Sequence, residues 1–193
     1  YKLQGSYDLA RREDDEALRL DPTLVVSRLN LAHIAILRGA PDEAVERMEA
    51  VLKLSDIPLA RVLLAWALMR KGSGRMALEE LDRAAALDPN DSLVVGMRGM
   101  AFAVMGDRVA ALEQARRASD LAASRPYPLA DYAVACIHAQ IGSPDDAFRF
   151  LDRALRTKAL SLSAFISPAY IRDDPALARL RNDPRFVKLV GSD

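Results

Sequence analysis

Small residues recur along this chain with a period close to that of a helix pair. Alanine stands at Ala10, Ala44, Ala77, Ala111 and Ala147, and seven residues beyond each come Ala17, Val51, Ala84, Ala118 and Ala154. A seven-residue step is two helical turns, so the two positions of each pair share one face of a helix. Five residues before each alanine is a glycine, Gly5, Gly39, Gly72, Gly106 or Gly142, at intervals of 34, 33, 34 and 36 residues. Seven residues before the glycine comes another small residue, Ala32, Ala65, Gly99 or Ala135, in the four units long enough to show it. Small residues at fixed points let two helices approach closely.

The turns agree with this period. Gly39-Ala40-Pro41-Asp42-Glu43-Ala44 recurs as Gly142-Ser143-Pro144-Asp145-Asp146-Ala147. Its proline is preset for a first helical turn, and its carboxylates lie beside the positive end of the helix dipole. The pattern predicts second helices over 8–20, 42–54, 75–87, 108–121 and 144–157. Leu20-Asp21-Pro22 and Leu87-Asp88-Pro89 close two of them, because proline disfavours helix in the residue before it. First helices are predicted over 25–38, 58–71, 91–105 and 128–141. Ser124-Arg125-Pro126-Tyr127-Pro128 inserts two residues between the fourth and fifth units and reads as a stiff loop.

A unit of helix, turn and helix with this spacing resembles the tetratricopeptide repeat (TPR), over residues 1 to about 160. The resemblance implies an all-α, right-handed superhelix of antiparallel helix pairs, a TPR-like α-solenoid with a partial first repeat and four full ones. The large apolar residue that the family places nine after the glycine is Met48, Leu81 or Leu151 in three units, but Asp14 in the first and Ala115 in the fourth. Asp14 reads either as solvent-exposed or as an ion-pair partner of Arg28. Beyond residue 160 the repeat fades into Asp174-Pro175-Ala176-Leu177 and Asp183-Pro184-Arg185-Phe186. Each Asp-Pro pair is a helix start, and residues 161–193 are predicted to form a helical cap on the array. With Leu177, Leu180, Arg181, Arg185 and Phe186 in place, this tail resembles the ending of TPR regions in bacterial signalling proteins such as class III adenylate cyclases and winged-helix regulators. Tyr1 falls in mid-helix, so the chain reads as part of something longer.

Composition narrows the function classes. The 27 basic and 27 acidic residues balance with no long run of either sign, which gives nucleic acid or an anionic membrane no electrostatic handle. Arg61 and Arg70 interrupt the most apolar stretch, so no membrane span is expected. The single Cys136 suits a reducing, cytoplasmic setting. Cys136 and His138 diverge by about 200° on one helix and cannot form a thiol and base pair. His33 lies in a different unit, and neither a metal nor a cofactor is expected. Gly72-Ser73-Gly74-Arg75 lacks the strand and the Lys-Ser/Thr of a phosphate loop. The acidic pairs Asp14-Asp15, Glu79-Glu80, Asp145-Asp146 and Asp173-Asp174 read as caps and solvated faces.

One stripe remains. On the first helices, the positions thirteen, ten, six and three residues before each glycine share a face. They read Val26, Leu29, His33, Ile36; Leu59, Val62, Trp66, Met69; Leu93, Gly96, Met100, Ala103; and Leu129, Tyr132, Cys136, Ala139. None carries a full charge. The resemblance implies that this stripe lines a concave, partner-binding groove, with Leu29, His33, Ile36, Val62, Trp66, Met69, Met100, Tyr132 and Cys136 as its contact residues. The lack of Lys, Arg and Asn argues against a clamp for a peptide carboxylate. The expected function is a non-catalytic protein-interaction scaffold holding an apolar helix or extended segment. The rival readings are a regulatory C-terminal region packed on an upstream domain of its own polypeptide, and a self-assembly module. On the groove reading Trp66 is a binding hot spot whose removal spares the fold; the alternative is that tight curvature or further helices bury the stripe, so that it is core and loss of Trp66 unfolds the array.

Overall fold

The computed structural model describes residues 7–156 and 168–191. Gly5 and the boundary drawn at residues 160 and 161 lie outside them. Every regular element among the described residues is helical. The chain divides into two compact units, residues 1–89 and 90–193, and the tail belongs to the second.

The first unit contains α1 (Tyr7–Leu20), α2 (Val25–Leu37), α3 (Pro41–Leu54), α4 (Pro58–Arg70) and α5 (Gly74–Leu87). α2 pairs with α3 and α4 with α5, and the two first helices of these pairs, α2 and α4, also touch. The second unit contains α6 (Ser92–Val104), α7 (Arg108–Ser124), α8 (Pro128–Gln140) and α9 (Pro144–Arg156). α6 pairs with α7 and α8 with α9, and here too the first helices, α6 and α8, pack together. The tail follows as α10 (Pro168–Asp173), a 3-10 helix (Pro175–Leu180) and α11 (Pro184–Val190). The predicted helices stand within a residue or two of these bounds, except that α7 runs on to Ser124.

Local chemistry explains the boundaries. Proline occupies the first turn of α3, α4 and α8, where its missing N–H costs no helical bond. Asp91 caps α6 by accepting from the N–H of Leu93 at 2.7 Å, and Asp107 caps α7 by accepting from Ala110 at 3.0 Å. At the turn after α2, Gly39 takes φ 73°, its N–H donates to Ile36, and the N–H of Ala40 donates to Ala35. That left-handed step satisfies the last carbonyls of α2 while turning the chain, a conformation that costs a residue with a Cβ. The same φ returns at Gly72, Gly106 and Gly142, so the period read from sequence is the period of a turn.

The small residues sit where helices meet. Ala44, Ala77, Ala111 and Ala147 are fully buried, as are Val51, Ala84 and Ala118 at the second site. Between them Met48, Leu81 and Leu151 are also fully enclosed. At Gly99 of α6 an added Cβ would lie 2.5 Å from Cδ1 of Ile137 and 3.3 Å from the carbonyl of Ala111, so α6 approaches both α7 and α8 too closely for a side chain there. Ala77→Leu is accordingly expected to destabilise the fold by about 1–3 kcal/mol through overpacking. Chemical denaturation checks this, and an unchanged midpoint contradicts the packing.

Polar ties reinforce the pairs. Arg61 of α4 binds Glu80 of α5 at 2.6 Å and Asp56 at 2.7 Å. Asp14 accepts from the side-chain amide of Asn30 at 3.1 Å. It does not pair with Arg28, whose guanidinium turns to the carbonyl of Pro22 at 3.1 Å. A half-buried aspartate thus replaces the large apolar residue by joining α1 to α2 through a hydrogen bond.

Candidate functional site

In the first unit α2 and α4 bring their stripe residues together, and most are already enclosed. His33, Ile36, Val62, Trp66 and Met69 are buried, Leu29 and Leu59 are half-buried, and Val26 at the start of α2 is 63% exposed. The imidazole of His33 lies 5.4 Å from the Trp66 ring, tilted by 37°. Ala32 and Ala65 are fully buried as well, and α2 and α4 touch. Trp66 is only 5% exposed. In this unit the middle of the stripe is thus enclosed, and Val26, Leu29 and Leu59 form the margin that reaches solvent.

In the second unit, too, most of the stripe is enclosed. Met100 of α6 and Leu129, Tyr132, Cys136 and Ala139 of α8 are buried. An added Cβ at Gly96 would lie 3.1 Å from the Cβ of Ala133, the approach that encloses them. Tyr132 donates its hydroxyl hydrogen bond to the carboxylate of Asp174 in the tail, and its ring lies 5.9 Å from that of Tyr170. Burial first, and then the neighbouring Asp174 charge, push the Tyr132 phenol well above its ordinary pKa, so it remains a donor.

Sequence reasoning identified Tyr132 and the Asp174 cap separately and missed that they meet. Asp174 accepts from the N–H of Ala176 at 2.8 Å, as a cap should, while also serving Tyr132. A second buried acid, Asp131, receives a hydrogen bond from Arg153 of α9. A charged residue within an otherwise apolar helix was the available signal, since a buried carboxylate demands a partner.

The remaining candidates resolve into packing. Cys136 is buried, whereas the half-buried imidazole of His138 stacks on Phe150 at 5.6 Å and faces Asp146 at 3.8 Å. Glu80 binds Arg61, Asp146 binds Arg149 at 2.8 Å, and Asp145 binds Arg185 at 2.7 Å. Among the described residues no three His, Cys, Asp or Glu side chains cluster to hold a metal, and no helix is long and apolar enough to cross a membrane.

His138 gives the second unit a pH dependence. Desolvation lowers its pKa below the ordinary value of 6.5, outweighing the attraction of Asp146. The fold therefore favours the neutral ring, and the unfolded chain takes up the proton first as pH falls. This contribution to stability is present above about pH 6.5 and is lost as pH falls toward the depressed value. Unfolding curves at pH 7.5 and 5.5 should show a larger loss for the native chain than for His138→Gln. Equal losses contradict the assignment.

Comparison with protein-family models and with curated proteins finds no match. Solved structures do match. TTC0263, a thermophilic TPR protein in Thermus thermophilus, is 22% identical with a TM-score of 0.67, over 83% of this chain and 88% of its own. A chain of the APC/C hetero-tetramer Cut9-Hcn1 is 18% identical with a TM-score of 0.65, over 96% of this chain and 39% of that one. MamA is 23% identical with a TM-score of 0.53, over 79% of this chain and 88% of its own. With helix pairs turned at regularly spaced left-handed glycines and sealed by alanines, and with these superpositions, the chain has the tetratricopeptide-repeat fold.

Proposed function

We propose that this chain is a non-catalytic scaffold that binds an apolar segment of a protein partner. The observation that carries the reading is the repeat itself, whose first helices all present an uncharged face while the charged residues tie helices together. Of the nine contact residues expected from sequence, Leu29 is the one a partner reaches without rearrangement, beside exposed Val26. His33, Ile36, Val62, Trp66 and Met69 support that margin from beneath, and Met100, Tyr132 and Cys136 become contacts only if what covers them moves. Binding energy at such a margin comes from apolar area removed from water, at about 25 cal/mol per Å² before association costs.

Site-specific photo-crosslinking tests the reading. A photoreactive amino acid at Leu29 should trap a partner in cells, whereas one at exposed Val109 of α7 should not. Trapping only at Val109, or equally at both positions, overturns the assignment of the partner face.

A further inference from the structure

The repeat supplies its own reference for a charged position. Eleven residues before a turn glycine and eight after it, the pair of α4 and α5 places Arg61 and Glu80, which bind at 2.6 Å. The same two positions in the pair of α2 and α3 are Arg28 and Arg47. The other full repeats place Val95 with Gln114 and Asp131 with Phe150, so among the four full repeats two like charges stand at these positions only here. Like charges cannot pair, and each guanidinium has taken another acceptor. Arg28 donates through Nε and Nη2 to the carbonyl of Pro22, and Arg47 through the same two nitrogens to Glu43 at 2.8 and 2.7 Å. Both keep their Nη1 donors beyond these bonds.

Around these two arginines lies a cleft of about 260 Å³, lined by Leu18 of α1, Arg28 of α2, and Glu43, Glu46, Arg47 and Ala50 of α3. Small-molecule sites run to roughly 300–1,000 Å³, so this one has room for a side chain or two. Glu43 is engaged with Arg47, and Glu46 is exposed. The lining therefore sums to zero charge, and an acid is held here by directed guanidinium donors rather than by a net field. The neighbouring repeat shows what such a position takes: Arg61 holds two side-chain carboxylates, Glu80 and Asp56, where Arg28 has a carbonyl. Leu18 and Ala50, both half-buried, add an apolar wall. We propose that this cleft binds an acidic side chain of a partner segment between Arg28 and Arg47, with an adjoining apolar side chain against Leu18 and Ala50. The apolar stripe bears no cation, so the cleft is a contact separate from the Leu29 margin, and it rests on the scaffold reading only for the nature of the partner.

The probe is the blocked dipeptide acetyl-Leu-Glu-amide, titrated into the full chain while the arginine Nε–H resonances are followed by NMR. Those of Arg28 and Arg47 should shift saturably, and the isostere acetyl-Leu-Gln-amide should bind at least tenfold more weakly. Arg28→Gln should weaken binding at least tenfold with the backbone amide spectrum otherwise retained. Arg47→Glu recreates the arginine and glutamate of the next repeat, so it should fill the cleft from within and abolish the response of Arg28 to the dipeptide. No saturable shift, equal binding of the two dipeptides, or unchanged binding in both variants overturns the proposal. Acetate that binds as tightly as the dipeptide reduces the cleft to a bare anion site and overturns the ligand class. N-acetyl-leucine that binds more tightly makes a chain end the ligand and overturns the side-chain assignment. The scaffold reading is tested separately by crosslinking at Leu29, so failed dipeptide binding with crosslinking intact removes this inference alone.

Discussion

Trp66→Ala is expected to lower the stability of the fold by about 3–5 kcal/mol, the cost typical of deleting a buried aromatic ring. The ring is 5% exposed, lies against His33, and stands on α4 among Val62, Leu63 and Met69, all buried. Its removal leaves a cavity beside His33 that the surrounding helices can fill only by moving. The apolar stripe led to the contrary expectation, a binding loss with the fold intact. Urea unfolding of the variant, followed by circular dichroism because Trp66 is the chain's only tryptophan, decides between them. A midpoint within experimental error of the native chain would restore the open groove. Trp66→Phe should recover most of the loss, since a smaller aromatic keeps much of the contact.

The contrast shows where sequence was legible. A helix pair repeats because its glycine turn and its two alanine contacts repeat, and both are local enough to leave a period of about 34 residues in the chain. Gly72 with Ala77 and Ala84 therefore predicted both a turn and an interface. Asp174 and Asp183 likewise announced helix starts, and each side chain accepts a backbone N–H in the turn that follows. The same residues did not reveal whether the stripe is open. An apolar position that lines a groove and one that fills a core have the same composition and the same helical spacing, and only the approach of neighbouring helices separates them. Gly96 and Gly99 carried part of that information, since two glycines in α6 indicate unusually close packing on that helix. The link between Tyr132 and Asp174 spans 42 residues and has no local signature. Its one hint was a tyrosine in an apolar stripe, whose hydroxyl needs an acceptor once buried.

Deleting residues 168–193 should damage the second unit more than any single substitution discussed above. The tail contributes Tyr170, Ile171, Leu177, Leu180, Phe186 and Val190 to the core, all buried, and covers Tyr132 besides. Full burial of one such side chain contributes roughly 1.5–3 kcal/mol relative to exposure, so several together rival the about 5–15 kcal/mol net stability of a domain. Loss of the tail also takes the Asp174 carboxylate from Tyr132 and the Arg185 guanidinium from the exposed Asp145. The truncated chain should lose hydrogen-exchange protection in α8 and α9, bind a dye for exposed apolar surface, and aggregate at concentrations where the full chain stays dispersed. A truncated chain with native protection in α8 and α9 would mean that those helices hold without the tail, and that its apolar residues are a covering rather than a cap.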